Sequence, residues 1–323
     1  MEHVGIVILN YNNSSDTINC IESVLKYTTV PIKIVVVDNG SNDVNSIIEI
    51  SNYLTENVKK EEYVDINVKK VSPILLPKIT LLKLEANLGY ALGNKKGIEL
   101  LYRDSSVESI MILNNDILFI ENIIPDLLKE LSILEKAFLV SPLLLKKDGV
   151  SIDYTCARNN YSFKEFILSY ISKFFDPFSI RKKIYQKNHL LINNPGLLNE
   201  QYFEIEMPSG SCMLARKDDF RKIGDFDSNT FLYCEENILS KKVKAIGMKN
   251  YLLTQSRCIH LGASSTSKSK SSFIAKCSKD SILYYVRKYE NPSFLSFYVF
   301  KSIVYADFYK VLFFNKIKKW IKK

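Results

Sequence analysis

The chain of 323 residues is 46% hydrophobic and 24% charged, with 11 Gly and 9 Pro, a balance that excludes intrinsic disorder and a collagenous or low-complexity chain. Its formal net charge is +9, but residues 266–323 alone carry 13 Lys/Arg against 3 Asp/Glu, so the basic charge sits in the tail and the body is close to neutral. A nucleic-acid-binding body would be basic and aromatic-lined, so no nucleic-acid partner is expected.

The six cysteines, at 20, 156, 212, 234, 258 and 277, show no CxxC spacing, which argues against a zinc site and a disulfide scaffold and for a reducing compartment. Glu2 and the short apolar run Val4 to Leu9 do not make a secretory signal. The richest apolar window, Phe294 to Phe314, is interrupted by Lys301, Asp307 and Lys310, so a spanning helix is not expected. These features predict a cytoplasmic protein.

In chain order, Val4 to Leu9 reads as a buried strand followed by the polar turn Asn10 to Asn13 and a helix over Ser15 to Lys26. Ile32 to Val37 is a second buried strand that stops at Asp38-Asn39-Gly40-Ser41-Asn42-Asp43. The charged stretch Asn57 to Lys70 reads as a surface insertion before the strand Ile79 to Leu84, which runs into Asn87 to Asn94. A helix leads to the strand Ser109 to Leu113, ended by Asn114-Asn115-Asp116. Buried strands that end in polar loops and feed helices predict an α/β fold with a mostly parallel central sheet, whose ligands bind beyond the carboxyl ends of the strands. Asp153 to Tyr202 is aromatic, basic and weakly periodic, a variable excursion over the sheet.

The polar strand ends carry the candidate chemistry. Asp38 can accept a hydrogen bond from a base N–H, and Asn39, Ser41 and Asp43 can shape the turn or reach a ribose, although the same residues would also make an Asx-rich turn. Gly89 and Gly93 permit close backbone approach, but Asn87 to Asn94 is not GxGxxG, so no dinucleotide fingerprint is present. Asp116, with Asn114 two residues before it, can hold a hard divalent cation or cap a turn. Glu235 and Glu236 point in different directions at a helix start, so one can act as a base while the other caps. His260 follows a short apolar segment and is either structural or a ligand.

Taken together and in this order, these clusters resemble the family 2 glycosyltransferases, particularly the rhamnosyltransferase-like enzymes of bacterial surface polysaccharide assembly. The resemblance runs from Val4 to about Ser265. It rests on Ile8-Leu9-Asn10-Tyr11-Asn12, Val36 to Asp43, Asn87-Leu88-Gly89 with Asn94, Leu113 to Asp116, Gly210 to Leu214, Gly224 to Asp227, Phe231 to Glu236, and His260. It implies a GT-A nucleotide-sugar-binding domain over 1–265, a divalent metal (Mg2+ or Mn2+), a nucleoside-diphosphate sugar donor of the UDP or dTDP type, and inversion at the anomeric carbon. By matching motif, Asp38 would contact the base while Tyr11 and Asn12 wall the pocket. Asn87, Gly89 and Asn94 would lie near the ribose or diphosphate, and Asn114-Asn115-Asp116 would be the DXD-like motif. His260 would join Asp116 at the metal, and Glu236 would be the base, with Glu235 as its alternate. Two departures stand out. The family's later acid is Ile238 here, and its downstream Arg is Lys241 or Lys242, which lack the planar fork.

Residues 266–323 read as a basic, aromatic helical extension. Phe313, Phe314, Ile317, Trp320 and Ile321 fall on one arc of a helix, with Lys316, Lys318, Lys319, Lys322 and Lys323 on the other. That pattern predicts a peripheral helix on an anionic membrane surface through 313–323, at the inner face of the plasma membrane. The more evenly apolar Phe294 to Leu312 would pack on the body or on a second copy, giving a possible homodimer. A glycan or lipid-linked acceptor follows from the resemblance, with the 153–202 excursion as its contact. The competing reading from another class is a non-catalytic nucleotide-sugar-binding or scaffold subunit.

Overall fold

A computed structural model describes residues 3–67, 75–262 and 271–321. The first half alternates β1 (His3–Asn10), α1 (Ser14–Tyr27), β2 (Ile32–Asp38), α2 (Val44–Asn57), β3 (Tyr63–Asn67), β4 (Ile79–Lys83), α3 (Gly89–Leu101), β5 (Val107–Asn114), β6 (Ile117–Phe119), α4 (Ile124–Ile133) and β7 (Ala137–Lys146). It continues with β8 (Ala157–Arg158), α5 (Phe163–Ile171), α6 (Ile180–Asn188), α7 (Leu190–Asn193), β9 (Tyr202–Ile205), β10 (Met207–Pro208), β11 (Cys212–Arg216), α8 (Lys217–Lys222), α9 (Glu235–Ala245) and β12 (Lys249–His260). Two helices close the chain, α10 (Ser271–Tyr285) and α11 (Phe294–Ile321).

Ten strands form one sheet in the order β3-β4-β2-β1-β5-β11-β7-β12-β6, with β9 paired to β12. The β3-β4-β2-β1-β5 half is parallel throughout, β11 is antiparallel to β5 and β7, and β12 is parallel to β7. Successive side chains of a strand point to opposite faces, and here both faces are covered. Ile6 and Ile8 of β1 and Ile34 and Val36 of β2 meet Cys20, Ile21 and Val24 of α1 and Ile50 and Leu54 of α2. Val7, Val35 and Val37 meet Ala91, Ile98 and Leu101 of α3 on the other side. Double burial explains why these strands read as continuous apolar runs.

The expected surface insertion at Asn57 to Lys70 is corrected. Its described part contains β3, which pairs in parallel with β4 and forms one edge of the sheet. Its charged residues hide the strand because an edge strand keeps charge to discourage pairing with other chains.

The C-terminal helices dock on the body. Ile282, Tyr285 and Val286 join Phe300 and Val304 of α11, Phe166 and Tyr170 of α5, and Ile238 of α9 in one buried cluster. Ile238, where the resemblance would place an acid, is buried in this cluster. Asp227 Oδ2 accepts hydrogen bonds from Tyr284 (2.8 Å), Lys288 (2.9 Å) and Tyr289 (2.6 Å), a second attachment. The domain border drawn at 265/266, with Ala263 to Ser265 of the resemblance, lies outside the described residues, as do Lys322 and Lys323 of the tail. Among the described residues no helix is long and apolar enough to cross a membrane.

Candidate active site

Strand register explains how distant residues meet. Asn10 pairs with Asp38, and Leu9 with Asn114, so the ends of β2, β1 and β5 lie side by side. Cys212 pairs with Leu113, which sets Ser211 beside Asn114, and Asn114 N–H donates to Ser211 O at 2.8 Å. His260 pairs with Ile117, which carries the imidazole to the residue after Asp116. His260 Nε2 is 3.5 Å from Asp116 Oδ2 and 3.5 Å from Ser211 Oγ.

Polar contacts and chain neighbours together link the predicted acids. Asn10 Nδ2 donates to Asp38 Oδ1 (2.8 Å), Thr17 Oγ1 bonds to Asn10 Oδ1 (2.9 Å), and Asn115 Nδ2 donates to Thr17 Oγ1 (2.9 Å). Asp116 follows, then His260, Ser211 and Gly210, whose N–H donates to Glu236 Oε1 at 2.6 Å. Asp38, Asp116, His260 and Glu236 thus lie along one edge of the sheet. A hollow of about 440 Å³ near the start of β2 is lined by His3, Leu25, Thr28 to Lys33 and Lys78, and it contains no carboxylate.

In the first loop, Ser41 donates to Asp38 through its hydroxyl (2.6 Å) and backbone N–H (3.2 Å), and Asn12 N–H donates to Ser41 Oγ (2.9 Å). Asn12 is left-handed (φ 53°) and its Oδ1 accepts from Asp43 N–H at 2.9 Å. Tyr11 Oη accepts from Asn42 Nδ2 at 2.9 Å. The turn holds Asp38 by its polar atoms and leaves Tyr11 and Asn12 half-exposed.

Three amides expected on a nucleotide carry internal hydrogen bonds, and Asp38 beside them is as deeply buried. Asn39 Nδ2 donates to Asn87 Oδ1 (3.1 Å) and Gly89 O (3.0 Å) while its Oδ1 accepts from Leu88 N–H (3.0 Å), so it ties the β2 loop to the start of α3. Asn94 is buried and donates to Tyr90 O (3.0 Å), and Asn115 is buried against Thr17. Buried amides need partners; Asn94 finds one in the preceding turn of α3 and Asn115 one in α1, while Asn94 Oδ1 has none. The close approach that Gly89 permits (φ 80°) is also internal. A Cβ there would lie 2.1 Å from Phe231 O, and Tyr90 N–H donates to that oxygen at 2.8 Å.

The contact between Gly89 and Phe231 leads to the carboxylate pair. Tyr233 (φ 78°) and Cys234 (φ 68°) are consecutive left-handed residues, a strained turn that delivers Glu235 and Glu236 to the first turn of α9. Glu236 remains 27% exposed, its Oε2 3.0 Å from Arg158 and its Oε1 on Gly210 N–H. Each of these oxygens keeps a second lone pair. Arg158 arrives because β8 pairs with β10. Lys241 and Lys242 go elsewhere, to Glu290 (2.7 Å) and Asp225 O (2.7 Å). Tyr90 Oη donates to Gly210 O (2.6 Å) and packs against this corner, its phenol pushed up by burial and by the carboxylates of Glu236, Glu235 and Asp116.

Glu235 is buried, with Oε1 unpartnered, and burial followed by the charge of Glu236 lifts its pKa to about 8. The folded protein holds this proton up to about pH 8, whereas the unfolded side chain releases it near 4.5, so the stabilisation present at low pH is lost as pH rises through that interval. Glu235→Gln is therefore expected to be more stable than the parent at pH 8 by on the order of 2–3 kcal/mol, with the gap closing toward pH 5. Urea unfolding at both pH values checks this, and parallel pH dependences in the two proteins would contradict it.

His260 Nδ1 is 2.7 Å from Asp153 Oδ2. Burial lowers the imidazole's pKa, but the carboxylates of Asp116 and Asp153 outweigh it and raise it to about 9. Asp153 is itself held near 2, since bonds from His260 and Thr155 overcome its burial. Both ring nitrogens thus carry protons at neutral pH, so a cation beside Asp116 would have to displace the Nε2 proton, with Asp153 on Nδ1 in the place of the carboxylate that typically orients a metal ligand. The fit to a cation rests on Asp116, whose buried Oδ1 has no hydrogen-bond partner. Among the described residues no cluster of three or more His, Cys, Asp or Glu could hold a metal alone, so a cation here would draw further oxygens from its ligand.

Sequence reasoning missed Thr17, Tyr90, Asp153, Arg158 and Ser211. Thr17 has a weak signal, the helical spacing from Asn13; Asp153 and Arg158 lie in the irregular excursion and have none.

Residues 5–224 match the Glycosyl transferase family 2 profile. The N-acetylglucosaminyl-diphospho-decaprenol L-rhamnosyltransferases of two Mycobacterium tuberculosis strains, CDC 1551 / Oshkosh and ATCC 25618 / H37Rv, are each 22% identical over 286 residues, covering 86% of this chain and 82% of theirs. The crystal structure of GalNAc-T7 with UDP, GalNAc and Mn2+ superposes with a TM-score of 0.55 at 14% identity, over 88% of this chain and 48% of that one, so the chain spans about half its length. The fold is of the GT-A type, and the chain belongs to glycosyltransferase family 2.

Proposed function

We propose that this glycosyltransferase moves a sugar, with inversion, from a UDP or dTDP donor to a hydroxyl of a glycan or lipid-linked acceptor in cell-surface polysaccharide synthesis. The observation that carries the reading is the polar chain from Asp38 through Asp116 and His260 to Glu236. Asp38, held by Asn10 and Ser41, receives the N3–H of a uracil or thymine, bases that offer the same donor. Tyr11 and Asn12 flank the base, and Asn87 and Asn114 line the path toward the sugar. Asp116 and His260 would hold a divalent cation, Mg2+ or Mn2+, which supplies charge stabilisation for the departing diphosphate. Glu236 takes the proton of the attacking hydroxyl. It is reachable, whereas Glu235 is 7% exposed and protonated at neutral pH, which favours Glu236 over its neighbour as base. The Mycobacterium tuberculosis relatives are named as acting on a diphospho-decaprenol, which supports a lipid-linked acceptor, and the half-exposed parts of 153–202 near Arg158 are the surface proposed to meet it.

The test is sugar release from a panel of UDP- and dTDP-sugars with Mn2+, with and without lipid-diphosphate acceptors. Transfer or slow hydrolysis of at least one donor is expected. Nucleotide-sugar binding without turnover of any donor would favour a scaffold subunit and contradict the proposal.

A further inference from the structure

Outside the site, the largest unexplained feature is an exposed aromatic surface built from two distant segments. Between α5 and α6 the chain runs Lys173-Phe174-Phe175-Asp176-Pro177-Phe178, with Phe175 74% and Phe178 72% exposed and Phe174 half-exposed. A tip of three phenylalanines facing water is costly unless something covers it. The loop is held in place. Asp176 caps α6 by accepting from Ile180 N–H (2.6 Å), and Lys173 pairs with Asp307 of α11 (2.6 Å). Lys310 of α11 donates to Lys173 O (2.6 Å) and lies over the Phe174 ring (4.8 Å).

That attachment places the loop beside a second apolar strip. One turn after Lys310 come Phe313 and Phe314, both exposed, with Tyr309 before them. The same outer arc of α11 carries Phe294, Leu295, Tyr298 and Val299, and no described residue exposed on this helix is acidic. Basic residues rim the surface. Arg181, Lys182 and Lys183 of α6 are exposed immediately after the loop, and Lys316 follows Phe314, while Lys187 pairs with Glu165 at 2.7 Å. The loop's own acid, Asp176, is already engaged by backbone N–H groups.

From this arrangement we propose that the Phe174–Phe178 loop and the outer face of α11 form one docking surface for a lipid bilayer containing anionic phospholipids. Exposed aromatic rings insert at the headgroup boundary while the lysines and arginines around them meet lipid phosphate. This assigns to the bilayer a loop that sequence reasoning gave to the acceptor, and it does not depend on the terminal residues 318–323. A second copy of the chain fits less well, because a two-fold interface sets a patch against itself and would bring the α6 basic cluster against its own image without an acidic partner.

The full-length protein is tested by co-sedimentation with phosphatidylcholine vesicles, with and without phosphatidylglycerol, in the absence of donor and acceptor. Failure here thus leaves the transferase reading intact, and the reverse also holds. Binding is expected only with phosphatidylglycerol and is expected to weaken with salt. The triple variant Arg181→Glu, Lys182→Glu, Lys183→Glu is expected to bind about 100-fold more weakly, the equivalent of about 1 kcal/mol for each basic group lost near anionic headgroups. A separate triple variant, Phe174→Ser, Phe175→Ser, Phe178→Ser, is expected to lose roughly 10-fold or more. All six residues are exposed or half-exposed, and an unchanged circular dichroism spectrum establishes that each variant folds. Parent-like vesicle binding by both variants would overturn the proposal, as would a concentration-dependent dimer that the phenylalanine variant abolishes while vesicle binding persists.

Discussion

Glu236→Gln is expected to lower kcat by roughly 100- to 10,000-fold, the usual worth of a general base, while nucleoside-diphosphate binding stays near the parent value. The amide keeps the shape and can still accept from Gly210 N–H, which in the parent meets Glu236 Oε1 at 2.6 Å, so the strained entry to α9 is preserved. What disappears is the capacity to take a proton from the acceptor hydroxyl, along with the charge facing Arg158. Steady-state kinetics with the donor found by screening, paired with calorimetric titration of the free nucleotide, separates the two effects. A loss confined to KM would make the residue a binding group, and near-normal turnover would remove it from the mechanism. Glu235→Gln, by contrast, is expected to retain most activity, because that carboxyl is buried and already protonated at neutral pH.

The second large effect is expected at Asp116. Asp116→Ala removes the buried oxygen that has no partner within the protein, and the Mn2+-dependent part of nucleoside-diphosphate binding is expected to fall by at least about 100-fold. The magnitude follows from comparison with the surrounding shell, where loss of a residue that merely orients a ligand typically costs 10- to 100-fold. Asp153→Asn supplies that comparison. It leaves Asp116 and His260 in place but weakens the hold on His260 Nδ1, and about a 10-fold loss is expected. Thermal shift against a Mn2+ series reads both, since a ligand that binds only the folded state raises apparent stability. An Asp116→Ala titration that overlays the parent would contradict the assignment.

The sheet was legible because its strands are doubly buried. Val35 and Val37 face α3 while Ile34 and Val36 face α1 and α2, so after Lys33 no polar residue interrupts the run until the strand leaves the core at Asp38. The same abrupt ending made Asp38 and Asp116 visible, since in a parallel sheet polarity returns at the carboxyl edge, where ligands bind. β3 was hidden by its edge position. At the site, residues whose side chains carry unusual chemistry could be named from sequence, but those that support them could not. Arg158 matters because β8 pairs with β10, and Asp153 because β12 brings His260 to it, relations that exist only in the folded chain. Asn39, Asn94 and Asn115 read as ligand contacts because they are polar residues near strand ends; the fold adds that each also bonds a buried backbone or side-chain group.

Ile238 joins the two halves of the account. The family resemblance would place an acid at Ile238, two residues after Glu236, while the structure gives it an apolar position under Tyr285 and Phe300. The helix that presents Glu236 also seats the C-terminal extension through Ile238.

Anomalous scattering from Mn2+ in crystals grown with UDP, or dTDP where that nucleotide binds more tightly, tests the central claim most directly. The account predicts a single strong peak between Asp116 and His260, with the base at Asp38 and the diphosphate on the same edge of the sheet as Glu236. A manganese peak remote from Asp116, or a nucleotide seated on the opposite edge near Lys33 and Lys78, would contradict it.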